Sequence, residues 1–198
     1  MKEYTITRRP SQLDWDKIPA LQIDELYKTE PSDVKAEARL CYDDEALYVR
    51  LRAVEKDISA QYTGLLDEVS EDSCLEFFFS PIEGDTRYFN IEVNPNSAMY
   101  LGFGPDINGL CRLIQEESTI APKAEYTEDG WMVNLTIPHT FVQRFFPDYS
   151  PAPGKSIRAN CFKCRSLIAP SHYLCWCPVV PQRCAFHNPS CFGTMYFE

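Results

Sequence analysis

The 198-residue sequence has no apolar run long enough to cross a bilayer as a helix. Its first residues, MKEYTITRRPSQLDW, lack the apolar core of a signal peptide. The expectation is therefore a cytoplasmic protein, or an extracellular one if an export signal has been removed. Basic residues are scarce: 19 Lys and Arg stand against 29 Asp and Glu, a formal charge of −10. That balance argues against nucleic acid or an anionic membrane as partner and suits a neutral ligand. Nucleophile signatures are missing too, with no Gly-x-Ser-x-Gly elbow and no His-Glu-x-x-His. Of the three histidines, His139 and His172 read as surface or loop residues, and His187 as a hydrogen-bonding anchor of the C-terminal turn. GFGPDING has the wrong glycine spacing for a nucleotide loop, and no strand-to-helix switch follows it. Helical periodicity, internal repeats and low-complexity tracts are all but absent.

What the chain does have is alternation. In DSCLEFFFSPIEGDTRYFNIEVN, Leu75, Phe77 and Phe79 alternate before a turn at 81–87, and Phe89, Ile91 and Val93 alternate after it. This predicts an antiparallel hairpin pairing Phe79 with Phe89, Phe77 with Ile91 and Leu75 with Val93. The other face then collects Cys74, Glu76, Phe78 and Ser80 with Tyr88, Asn90, Glu92 and Asn94, and Glu76 lies across from Glu92. Facing carboxylates repel, so this face calls for a partner: sugar hydroxyls, a cation, or an arginine from elsewhere in the chain. A solvated outer face is the alternative.

A second hairpin is predicted from AEARLCY and ALYVRLRAV, pairing Tyr42 with Leu47, Leu40 with Val49 and Ala38 with Leu51. Its outer face places Glu37 opposite Arg52 and Arg39 opposite Arg50, either a pair of facing arginines for an acid or ligand or, as such residues more often are, a solvated strand face. Residues 1–30 hold a mixed pattern, either a short strand or an irregular entry. Further strands are predicted over 98–104, 110–114, 123–126, 131–137, 157–167 and 194–197, with a short helix near 138–146 opened by Pro138. Many short strands with frequent turns predict an all-β fold, a two-sheet antiparallel β-sandwich forming one domain over residues 1–198.

Nine cysteines mostly sit inside apolar runs, and read as reduced thiols packed as small hydrophobes. Zinc at Cys161-x-x-Cys164 with Cys175-x-Cys177 is disfavoured, because IRANCFKCR reads as a strand whose alternation points the first two sulfurs to opposite faces.

Five segments together resemble the carbohydrate-binding module family 9-like domains of the DOMON-like β-sandwich group. They are Tyr42-Asp-Asp-Glu-Ala-Leu-Tyr-Val49 with Asp57; Asp72-Ser-x-x-Glu76-x-Phe78; Tyr88-x-Asn90-x-Glu92-x-Asn94; Gly130-Trp131-x-Val133-x-x-x-Ile137-Pro138; and Phe186-His187-x-Pro189-x-x-Phe192-Gly193-x-x-x-Phe197. The resemblance implies a sandwich that binds the end of a glycan chain without catalysis, carries structural calcium, and serves a glycan-degrading enzyme. It also implies a sugar ring gripped between two tryptophans. Trp176 matches one wall, and Val69-Ser70-Glu71 stand where the second is expected.

Three functions are weighed on these residues. The first is a module for a mono- or oligosaccharide, using Glu76, Asn90, Glu92 and Trp176 with Tyr88, Asn94 and Arg165 as helpers. The second is a glycoside hydrolase with Glu76 and Glu92 as its carboxylate pair. The third is an accessory or interaction sandwich whose sugar site has decayed. No cofactor is required by any of them.

Overall fold

The computed structural model describes residues 1–114, 119–167, 169–180 and 185–198. Fourteen strands are formed among them. The first five are β1 (Glu3–Arg8), β2 (Leu21–Ile23), β3 (Glu25–Leu26), β4 (Lys35–Tyr42) and β5 (Ala46–Val54). Then come β6 (Cys74–Ser80), β7 (Tyr88–Val93), β8 (Met99–Gly104), β9 (Cys111–Arg112) and β10 (Lys123–Thr127). The chain closes with β11 (Gly130–Pro138), β12 (Ser156–Arg165), β13 (His172–Cys175) and β14 (Gly193–Phe197). No helix among the described residues is long and apolar enough to cross a membrane.

One layer runs β10-β11-β5-β4, and the other runs β14-β12-β6-β7-β8-β9. β1 joins them. Its first four residues pair in parallel with β14, and Thr7 and Arg8 pair in parallel with Cys41 and Tyr42 of β4. The sandwich is therefore mixed rather than purely antiparallel. β2 adds to β4, β13 to β12, and β3 to β13.

Both predicted hairpins form in the expected register. Leu75 pairs with Val93, Phe77 with Ile91 and Phe79 with Phe89, while Tyr42 pairs with Leu47 and Ala38 with Leu51. Period-two spacing fixes this outcome, because a one-residue slip would turn every apolar side chain outward. The 81–87 turn closes through Gly84 at φ +82°, a left-handed position open to glycine without steric cost. Between the layers, Leu40, Val49, Leu51, Trp131, Val133 and Leu135 meet Leu75, Phe77, Phe89, Ile91, Ile157 and Met195. Each such side chain contributes about 1.5–3 kcal/mol by leaving water.

The helix is shorter than expected. It spans His139–Gln143 and plants Phe141 and Val142 in the core, while Phe145 and Phe146 pack against Phe89 from the turn beyond. His139 and His172 are buried rather than on the surface. Six of the eight cysteines among the described residues are buried free thiols; Cys184 lies outside the described residues.

Candidate functional site

Alternation sends Cys74, Glu76 and Phe78 of β6, with Tyr88, Asn90 and Glu92 of β7, to the side of their sheet away from the sandwich core. Glu76 faces Glu92 across the two strands, as expected. The row extends both ways, since Glu76 lies opposite Phe162 of β12 and Glu92 opposite Tyr100 of β8. Two carboxyls thus occupy the middle of a row whose ends are aromatic.

This side of the sheet is not solvated. Glu76 is 2% exposed and Glu92 7%, and Tyr88, Asn90 and Asn94 are fully buried. A 3₁₀ turn, Val69–Glu71, packs against β6, β7 and β12. Val69 is buried beside Cys74 and Cys164, with Tyr62, Tyr100, Tyr173 and Phe186 around them. Phe186 also stacks on Phe162, and its ring approaches Tyr173 at 6.2 Å and Tyr27 at 5.7 Å. Across the row, the Arg112 guanidinium lies 4.3 Å over the Tyr100 ring. Its nitrogens hold the carbonyls of Leu65, Leu66 and Asp67, which fixes the loop leading into the 3₁₀ turn.

Burial answers the repulsion between the facing acids with protons. Glu92 is pushed up to about 7, chiefly by burial. The Asn90 hydrogen bond and the Arg112 charge oppose that shift, and Glu68 adds to it. Glu76 is raised well above the carboxylate range, first by burial, then by Cys164 and Glu92. A protonated carboxyl both donates and accepts, as a sugar hydroxyl does. Asn90 Nδ2 donates to Glu92 Oε1 over 3.0 Å, but Asn90 Oδ1 is buried with no partner.

The remaining sequence-predicted residues serve the framework. Asn94 Nδ2 donates to Asp72 Oδ2 and to the Tyr62 carbonyl, while its Oδ1 accepts from the amides of Asn96 and Ala98. Asp72 also accepts from Ser59 and from the amides of Gln61 and Tyr62, so this buried pair shapes the 59–72 loop. Tyr88 places its hydroxyl 3.0 Å from His187 Nδ1, and the His187 ring lies on Phe78. His187 does anchor the C-terminal turn.

Two expected ligand residues lie on the wrong side of the sheet. Trp176 is 3% exposed and belongs to the core between the layers, with its amide bonded to the Cys161 carbonyl. A Cβ on Gly193 would stand 2.6 Å from its indole, which explains the glycine at that position. Arg165 follows Cys161 and Lys163 along β12 onto the same inner face. There it binds the carbonyls of Asp57 and Pro170 and lies 3.8 Å from Glu55. Glu55 is the centre of that inner cluster. It meets Lys163 at 3.1 Å, accepts from Trp131 Nε1 and Ser73, and lies 3.5 Å from His172.

The aromatic side chains that pack beside the facing carboxyls are therefore Phe186, Tyr173 and Tyr100, none of which the sequence marked as a ligand. Only Tyr100 carried a usable signal: extending the hairpin by one strand places it opposite Glu92. Calcium, implied by the resemblance, takes about six to eight oxygen ligands. Among the described residues, the one close grouping of acidic, cysteine or histidine ligands is Cys74, Glu76 and Cys164. With two sulfurs of three, it does not suit that ion.

The chain is similar to known proteins over its whole length. A candidate carbohydrate-binding protein from Bacteroides uniformis superposes with a TM-score of 0.84 at 25% identity, covering 100% of this chain and 99% of that one. A carbohydrate binding module family 9 protein from Caldicellulosiruptor kristjanssonii, in complex with cellotriose, has a TM-score of 0.71 at 15% identity, covering 100% and 94%. The same organism's family 9 module in complex with glucose gives 0.69 at 14%, covering 100% and 96%. No curated protein matches. The model of carbohydrate-binding family 9 matches residues 7–197, and the chain belongs to that family.

Proposed function

We propose that this family 9 protein is a non-catalytic receptor for a neutral sugar, the end of a gluco-oligosaccharide, seated at Glu92 between Tyr100 and the Phe186–Tyr173 pair. The observation that carries the reading is the row Phe162–Glu76–Glu92–Tyr100, with the unpartnered Asn90 Oδ1 beside it. Ring faces pack against sugar C–H bonds, while a few convergent polar atoms fix the hydroxyls. Glu92, the less buried of the two carboxyls at 7% exposure, offers the first polar contact; Asn90 Oδ1 offers a buried acceptor that a hydroxyl can fill. Glu76 lies deeper and supports Glu92. The related modules that hold cellotriose and glucose supply the sugar class.

A hydrolytic role has less support, because the family model that matches the chain is one of carbohydrate-binding proteins and the related chains that hold cellotriose and glucose are binding modules. A sugar-binding module of this kind would serve by tethering a glycan-degrading enzyme to its substrate. Calorimetric titration of glucose and cellotriose into wild type, Glu92→Gln and Tyr100→Ala tests the reading. Saturable heat is expected in wild type, with weaker binding in both variants. Silence from both sugars, in a protein shown to be folded, sinks it in favour of an accessory sandwich with a decayed site.

A further inference from the structure

Cys74 and Cys164 lie directly opposite each other on β6 and β12. Glu76, two residues along β6, shares their side of the sheet. One sulfur or oxygen from each of the three falls within 4.8 Å of the others, and all three residues are buried. Cys164 Sγ lies 3.0 Å from Glu76 Oε1 and 3.5 Å from the Ser70 carbonyl oxygen. The 3₁₀ turn that carries Ser70 is held over the sheet by a second bond, from Ser166 Oγ to the same carbonyl.

We propose that Cys74, Cys164 and Glu76 form a buried binding site for a thiophilic divalent cation of the zinc class. Tetrahedral zinc, with bonds of about 2.3 Å to sulfur and 2.0–2.2 Å to oxygen, sets its ligands about 3.5–3.8 Å apart. The separations present here need shifts of no more than about an ångström, and the Ser70 carbonyl, 3.5 Å from Cys164 Sγ, is the nearby oxygen that could complete the set. Two sulfurs and a carboxylate select zinc-like ions over calcium and magnesium. On binding, the two thiols and the Glu76 carboxyl exchange their S–H and O–H bonds for bonds to the metal, and the three protons pass to solvent. Burial, the neighbouring acids and the Cys74–Cys164 contact hold all three groups protonated. The bound cation itself therefore supplies the charge that draws off their protons, with a smaller contribution from the Lys163 ammonium, bonded to the Cys164 carbonyl at 2.9 Å. Strand alternation sends Cys161 into the core, so the partner of Cys164 is Cys74 across the sheet rather than the nearer cysteine in sequence. The site shares Glu76 with the proposed sugar row but rests on Cys74 and Cys164, which the sugar reading does not use.

The test is dialysis of the reduced, purified full chain against cobalt(II), followed by metal analysis and absorption spectroscopy. About one cobalt per chain is expected, with thiolate charge transfer and the intense visible bands of tetrahedral coordination. Cys74→Ser and Cys164→Ser should each weaken binding at least about tenfold, while Cys111→Ser, at an exposed thiol, should leave it intact. If the serine variants do not fold, X-ray absorption of zinc-loaded wild type decides, with two sulfurs at about 2.3 Å expected. Substoichiometric binding overturns the proposal, as do fewer than two sulfur ligands or a tetrahedral spectrum that survives Cys74→Ser. So does a Cys74–Cys164 disulfide found by non-reducing peptide mapping of the reduced protein.

Discussion

Phe186 stacks on Phe162 with ring centroids 4.1 Å apart and planes 20° from parallel. Because Phe162 sits opposite Glu76 in β12, this stack would build one wall of the proposed sugar site on a rigid strand. Phe186→Ala removes the wall and leaves the strand. The expected outcome is about tenfold weaker cellotriose binding, with stability lost by about 0.5–1.5 kcal/mol for each aromatic pair broken, in addition to the apolar area exposed. Calorimetry and urea unfolding on the same variant separate the two effects. Unchanged affinity would place the sugar elsewhere.

Trp176→Ala should behave in the opposite way. The indole fills the core against Gly193, so truncation leaves a cavity costing about 3–5 kcal/mol. Below the unfolding midpoint, the folded fraction should retain wild-type sugar affinity. Loss of affinity at full folding would return Trp176 to the binding site.

These two residues show where sequence stops being informative. The register of β6 and β7 was legible because their apolar residues alternate and one turn joins them. HYLCWC has large side chains at both parities, so alternation within it cannot say which parity faces inward. The answer comes from pairing Cys175 with Phe162 on one side and with Glu25 on the other, contacts far apart in sequence. β1 was obscure for the same reason, since a parallel strand bridging two sheets leaves no local signature. The facing acids were readable as a pair. Their cover was not, because the Val69–Glu71 turn and Phe186 arrive from distant segments.

Glu55 should be among the most sensitive surfaceless positions. Lys163 and Arg165, both buried, have Glu55 as their shared acid. Glu55→Gln leaves those cations without compensation, and an expected loss of about 3–5 kcal/mol follows, the cost of breaking a buried pair from one side. Glu55→Gln/Lys163→Met should recover part of that loss, because the stranded ammonium goes with its partner. Equal stability of the single and double variants in urea would show that Lys163 does not depend on Glu55.

The last expectation concerns acid. Burial lowers His187 to about 4, and lowers His172 to about 3 with help from the Lys163 and Arg165 charges. Both rings are therefore neutral in the folded protein at pH values where an unfolded histidine, near 6.5, takes up a proton. The sign follows from linkage: the unfolded state binds more protons, so stability is complete above pH 6.5 and drains as the pH falls. For His187 the loss ends near pH 4, where the folded state also protonates and the Tyr88–Nδ1 contact reverses, the imidazolium N–H donating to the hydroxyl oxygen. Wild type minus His187→Gln isolates this contribution, which should shrink by at most about 1.4 kcal/mol per pH unit between 6.5 and 4. Proton NMR of the His187 ring supplies the direct reading, with a midpoint near 4 expected; titration at the ordinary value of 6.5 would mean that water reaches Nδ1 and that the C-terminal turn does not close over Phe78 as described.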